Sequence, residues 1–248
     1  MKSMDIKFTK LREEIRTSHM YVMNNIYSDT AVDLCFFCGT PKHLTKEHVI
    51  PKWTFKNDSE ISFNTTANGL GHKFIGATIP ACNSCNSLYL SSIEYRLKWL
   101  LENVDHNDFY NEDIDLVIWW LQCISYKLQV FDFRKKIIKP KGMDFSKEAS
   151  ELPLALFRQD GKVDELSTFF QLDVTRLELT KKLKPQIRNS LVLYKTTNKE
   201  NHFFHKVDDF IFVEIAHIGY AFFLFFNIMF PNKSDASTLS KEIINEHY

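Results

Sequence analysis

Cys35-Phe36-Phe37-Cys38, then Glu47-His48-Val49-Ile50-Pro51, then Cys82-Asn83-Ser84-Cys85-Asn86 are the three short runs from which the fold is read. A Cys-x-x-Cys pair sets two thiolates on one tight turn, and two such pairs supply the four sulfur ligands that zinc takes in closed structural sites. The N-terminus does not read as a secretory signal, because Lys2, Asp5, Lys7, Lys10 and Arg12 interrupt its apolar residues. The chain therefore reads as cytoplasmic, a compartment in which paired cysteines serve metals rather than disulfides. Nothing near the pairs reads as a thioredoxin-like βαβ unit. The fifth cysteine, Cys123, falls in an apolar helical run and reads as a small buried hydrophobe.

Outward from these runs, the apolar spacing of Ile6, Phe8, Leu11, Ile15, Val22 and Ile26 predicts an N-terminal packing helix over 3–27. Residues 34–51 carry turn residues, Gly39 and Pro41, and a short extended run from Leu44 to Ile50, which reads as a small β-hairpin. A polar stretch from Trp53 to about Gly76 reads as loop. From Ser84, the positions Leu90, Ile93, Leu97 and Leu100/Leu101 recur at helical spacing, so the second Cys pair opens a helix and zinc ties hairpin to helix.

A second helix is predicted from Asn111 to Phe133 on a broad apolar face. Arg134, Lys135, Lys136, Lys139 and Lys141 follow it, a solvated helix end or a phosphate-contacting patch, and Pro140 and Gly142 mark a boundary. Phe169/Phe170, Leu191-Val192-Leu193-Tyr194 and Phe203/Phe204 predict strands. Phe210 to Phe230 is apolar enough to raise the question of a membrane helix. Glu214, His217 and Asn227 inside it, with Gly219 at its centre, favour a buried hairpin of Phe210–Ala216 and Tyr220–Phe226 and no membrane span. The fold class is α+β. Its expected parts are an N-terminal helix (1–33), a zinc-bound module (34–105), a helical connector (106–142) and a β-rich C-terminal region (143–248), which either stands alone or packs on the helices before it.

Composition constrains partners. The chain has 248 residues, 44% of them apolar, with 31 basic and 31 acidic side chains, so a sizeable core is available and no global field draws it to nucleic acid. Such binding needs local patches. Lys46, Lys52, Lys56 and Lys73 surround the Glu47-His48 motif and are candidate phosphate contacts, each competing with an ordinary solvated role. Trp53 and Phe55 either stack on a base or pack the small module. Lys181, Lys182, Lys184, Arg188, Lys195 and Lys199 form a second basic region, for nucleic acid or a protein partner. His202 and His205 have metal-like spacing without an evident third ligand.

In the order Cys pair, acid-His, Cys pair, Asn, the chain resembles the HNH nucleases with a ββα-metal fold, in their zinc-stapled branch of the phage endonuclease VII kind. The resemblance covers about residues 33–102. It implies that Cys35, Cys38, Cys82 and Cys85 hold a structural Zn2+, that His48 is the general base, and that Glu47 and Asn86 hold one catalytic divalent cation, Mg2+ or Mn2+. Histidine suits the base role because its ordinary pKa of about 6.5 leaves it neutral near pH 7, and hard oxygen ligands suit magnesium. Asn86 has a bland competitor as a helix cap. Two positions depart from the family pattern: Glu stands where Asp is commoner, and no Asn occurs in Gly76–Ala81, leaving Asn64, Asn68 or His72 to orient the base. In a regular strand Glu47 and His48 point to opposite faces.

The function this implies is hydrolysis of phosphodiester bonds by an endonuclease, expected on DNA, with a defence or mobile-element role by family analogy. A zinc module that binds nucleic acid or protein without cutting, and a nuclease acting on RNA, are the competing classes.

Overall fold

In a computed structural model the described residues are 2–27, 33–55, 60–64, 71–134, 165–206 and 209–247. The N-terminal apolar pattern forms two helices rather than one, α1 (Lys2–Thr17) and α2 (His19–Tyr27). The break falls at Ser18, whose hydroxyl bonds the Glu14 carbonyl at 2.6 Å and reaches across to the Phe37 carbonyl at 2.8 Å. A serine that serves backbone carbonyls competes with the helix ladder.

The short hairpin expected within 34–51 is instead a long-range pair. Strand β1 (Leu44–His48) runs antiparallel to a strand far along the chain, Thr78–Cys82, with Leu44 opposite Cys82 and His48 opposite Thr78. The intervening polar stretch is not plain loop. It holds a short helix, α3 (Lys52–Phe55), a two-stranded ribbon of β2 (Ser62–Asn64) and β3 (Gly71–Lys73), and a 3₁₀ turn at Phe74–Gly76. Phe55, Phe63 and Phe74 are buried there, pack edge to face at 5.5 Å and join this insertion to the main core. With Thr78–Cys82 numbered β4, the chain passes through Asn83 into a π-helical segment (Ser84–Leu90) that continues as α4 (Ser91–Asn103).

Helix α5 (Asn111–Asp132) follows the expected bounds and is buried all round from Val117 onward, as befits a central helix. Cys123 is buried in it. The Phe169/Phe170 region is helix, α6 (Glu165–Glu178), where strand was predicted. Leu172 and Arg176 are fully buried in it and Leu179 just past its end, a helical spacing that outweighs the β-propensity of adjacent phenylalanines.

Strands β5 (Leu191–Lys195), β6 (Phe203–Lys206), β7 (Phe210–Ile215) and β8 (Tyr220–Phe225) form an antiparallel sheet in the order β5-β8-β7-β6. The apolar stretch is the expected hairpin, turned at Gly219 with φ 78°. Its alternation explains why it lacks a polar face. Ile211, Val213, Ile215, Phe222 and Leu224 join the main core, while Phe210, Phe212, Phe223 and Phe225 meet a last helix, α7 (Lys233–His247), through Ala236, Leu239 and Ile243. The main core is continuous from Leu11 of α1 through α5 to Leu224 of β8. No helix among the described residues is long and apolar enough to cross a membrane.

Candidate metal centre and the His48 site

Each Cys pair sits on its own turn. Gly39 N bonds the Cys35 carbonyl at 2.8 Å, and Gly39 takes φ 75° with a notional Cβ only 3.0 Å from the Tyr21 ring, so a side chain there is excluded twice over. The second turn lies where β4 passes into the helix. In both, an amide points at sulfur: Cys38 N lies 3.5 Å from Cys35 Sγ, and Cys85 N lies 3.4 Å from Cys82 Sγ. Pairing of β1 with β4 brings the turns together, helped by Phe36 N to the Pro80 carbonyl at 3.1 Å and Asn83 N to the His43 carbonyl at 3.0 Å. The four sulfurs lie within 4.8 Å of one another, and Cys38 Sγ is 3.6 Å from Cys82 Sγ. A tetrahedron with Zn–S of about 2.3 Å has edges of about 3.8 Å. The spacing fits zinc.

Charge fits as well. Cys35 is held below the ordinary thiol range, first by its contact with Cys38 and then by Cys85, while the same contacts push Cys38 and Cys85 up. One thiolate is favoured and further ones are opposed, the behaviour of a donor set that needs a cation. Arg176 of α6 is fully buried and meets no carboxylate among the described residues. Its guanidinium donates instead to the Phe36 carbonyl, the Phe37 carbonyl (2.6 Å), Ser18 Oγ (2.9 Å) and Tyr126 Oη (2.5 Å). A buried cation inside the first Cys turn is costly alone. Beside a tetrathiolate zinc, which would carry net negative charge, it would be compensated.

His48 closes β1 and Glu47 precedes it, and as the strand geometry requires they face apart. Glu47 is buried, and its Oε1 accepts from Lys127 Nζ of α5 at 2.7 Å. The same ammonium donates to the His48 backbone carbonyl at 2.8 Å and lies 3.7 Å from Glu94 Oε1 of α4. Desolvation pushes Glu94 up to about 7 against the pull of Lys127, and the two carboxylates raise Lys127 despite its burial. Lys127 thus ties α5 to the end of β1. The His48 imidazole is half-buried; burial, then the charge of Lys52, hold it below its ordinary value, while Glu47 and the Ile75 backbone carbonyl pull upward. The lowered pKa favours its neutral form near pH 7.

Asn86 lies in the first turn of the π-helical segment. Its Nδ2 donates to Thr45 Oγ1 at 2.9 Å and reaches the Lys46 carbonyl at 3.4 Å, so its amide fastens this turn to β1. No hydrogen bond joins Asn86 to Glu47 among the described residues. Glu47 Oε2 and Asn86 Oδ1 accept none there either, which leaves two hard oxygens without protein donors. Lys46 and Lys52 are exposed, and Lys73 is 56% exposed and paired with Glu60 at 2.8 Å. Lys56 lies outside the described residues, as do Asn68, the Asn64 side chain and Lys135 to Lys141. His72 packs edge-on to Phe131 at 4.9 Å within the apolar insertion. His202 bonds the buried Glu214 at 2.7 Å and His205 meets Ser125 at 3.2 Å, so the two serve separate polar contacts.

Sequence reasoning missed Lys127, Glu94 and Arg176. A mostly apolar run whose one charged residue is a lysine, Ile118 to Phe131, is the available signal for Lys127, because a lysine is rarely buried without a partner. The chain matches no protein-family model, no curated protein and no solved structure.

Proposed function

We propose that the chain is a metal-dependent endonuclease of the zinc-stapled HNH kind, hydrolysing phosphodiester bonds in nucleic acid, with DNA as the expected substrate. The observation that carries this reading is His48: a half-buried imidazole whose pKa burial and Lys52 lower, at the end of a strand whose antiparallel partner leads straight into a cysteine-stapled helix. A neutral imidazole can accept a proton. His48 takes the proton of a water whose oxygen attacks phosphorus; the P–O3′ bond breaks and the leaving oxygen takes a proton from solvent water.

Glu47, on the face of β1 opposite His48, and Asn86 would hold the divalent cation, Mg2+ or Mn2+, through their two unbonded oxygens, and the cation would supply charge stabilisation at the phosphoryl and leaving oxygens. Lys127 fixes the Glu47 carboxylate, so the ligand is set before substrate arrives. Exposed Lys46 and Lys52 flank the motif and meet backbone phosphates. The four cysteines serve Zn2+ as a structural ion.

The test is incubation of the zinc-loaded chain with supercoiled plasmid, linear duplex, single-stranded DNA and structured RNA, in Mg2+, Mn2+ or EDTA. Cleavage that needs the divalent cation is the expected result, and the substrate cut distinguishes DNA from RNA. Binding to nucleic acid with no cleavage in any metal overturns the enzyme in favour of a binding module.

A further inference from the structure

A cavity of about 260 Å³ opens between α5, α6 and the residues after β8. Its floor is polar. Gln122 and Ser125 of α5 are one turn apart and 6% and 1% exposed, and Gln122 Oε1 is buried with no hydrogen-bond partner. A buried carbonyl oxygen left without a donor is destabilising. Such an atom lining a cavity is an acceptor waiting for a ligand's N–H or O–H. Thr175 adds a hydroxyl.

The rim is basic. Lys181, Lys182 and Lys184 line it, with Glu178 as the one acid, and Lys181 is paired with Glu178 at 2.5 Å. Lys182 and Lys184 have no ion-pair partner among the described residues. Elsewhere in the same basic region charges are consumed, Arg188 by Asp115 at 2.7 Å and Lys195 by Asp105. Lys182 and Lys184 at the mouth keep theirs, as does Lys199 farther along the chain. Between floor and rim, Val174 (48% exposed) and Met229 (53%) present apolar surface to the opening.

From these features we propose that this cavity binds a small phosphate-bearing molecule of mononucleotide or sugar-phosphate size. Its phosphate meets Lys182 and Lys184, its body lies on Val174 and Met229, and a donor on that body satisfies Gln122 Oε1. The volume is near the lower end for ligand pockets, which run from roughly 300 Å³, and admits a monomer rather than a polymer. The site is independent of cleavage at His48: Gln122 and Ser125 project from the face of α5 opposite Lys127.

The experiment is calorimetric titration of the zinc-loaded chain, at one fixed salt concentration, with the four 5′-mononucleotides, ribose 5-phosphate, adenosine and inorganic phosphate. At least one phosphorylated probe is expected to saturate, about tenfold or more tighter than adenosine or phosphate alone. The surface variant Lys182→Ala/Lys184→Ala is expected to weaken it about tenfold or more while retaining the melting temperature. Gln122→Leu, with its fold checked by circular dichroism, is expected to weaken binding without changing its salt dependence. No saturation by any probe up to about 10 mM, or equal binding by the lysine double variant, overturns the proposal.

Discussion

At the scale of single residues, His48 is the group on which the proposed chemistry turns, and its surroundings predict a pH profile. Burial and Lys52 lower its pKa. A general base acts when deprotonated, so the cleavage rate should climb with pH and level off at a break below pH 6.5, the ordinary histidine value. A break above that value contradicts the assignment. A second prediction concerns Asp132, whose carboxyl is buried with Oδ1 unpartnered and pushed up to about 7 by desolvation. The folded state then holds a proton that the unfolded state has released across roughly pH 4–7. Stability therefore falls as pH rises through that window. Asp132→Asn removes the dependence. The variant should match wild type near pH 4 in urea melts and exceed it by roughly 2–4 kcal/mol near pH 8. The sequence made the residue types at the site visible and hid their pairings. The opposite faces of Glu47 and His48 follow from strand periodicity, whereas the partner that fills the Glu47 face, Lys127, comes from a helix distant in sequence and no local pattern announces it.

At the scale of elements, local periodicity located α4, α5 and the β7–β8 hairpin, because one buried face or a pair of buried faces repeats there. It failed where the partner is far away. β1 was read as half of a short hairpin because nothing in Leu44–Ile50 says that its mate begins at Thr78. Helix α7 was not foreseen, although Asn232 caps it through Asp235 N at 3.0 Å and Ala236, Leu239 and Ile243 recur at helical spacing. The most consequential contact between elements is Arg176, which carries α6 onto the first Cys turn. Arg176→Met removes several buried hydrogen bonds and leaves the Phe36 carbonyl to Tyr126 alone and the Phe37 carbonyl to Ser18 alone, a loss of about 3 kcal/mol. Competition with a chromogenic zinc chelator should show weaker zinc retention as well. Unchanged zinc affinity would separate Arg176 from the metal centre.

At the scale of the molecule, one core joins the cysteine-stapled unit to the C-terminal sheet through α5, by way of Trp53, Trp120 and Phe222, whose rings stand 5.6 Å and 5.9 Å apart in turn. Removal of zinc should therefore be felt by the whole chain. A chelator is expected to lower the melting temperature by about 10–20 °C, the shift for a loss of about 5 kcal/mol in a protein of this size. A melting curve insensitive to chelation would exclude a structural metal. The composition was balanced enough in charge to say little about partners; the unpaired lysines became visible only once Arg188 and Lys195 were seen with their carboxylates. The central claim, that His48 activates water at a phosphodiester, is tested most directly by comparing wild type with His48→Ala at equal zinc content on the most readily cut substrate. The account predicts the same melting temperature and nucleic-acid affinity with cleavage reduced by about a hundredfold or more. Cleavage by His48→Ala at the wild-type rate would contradict it.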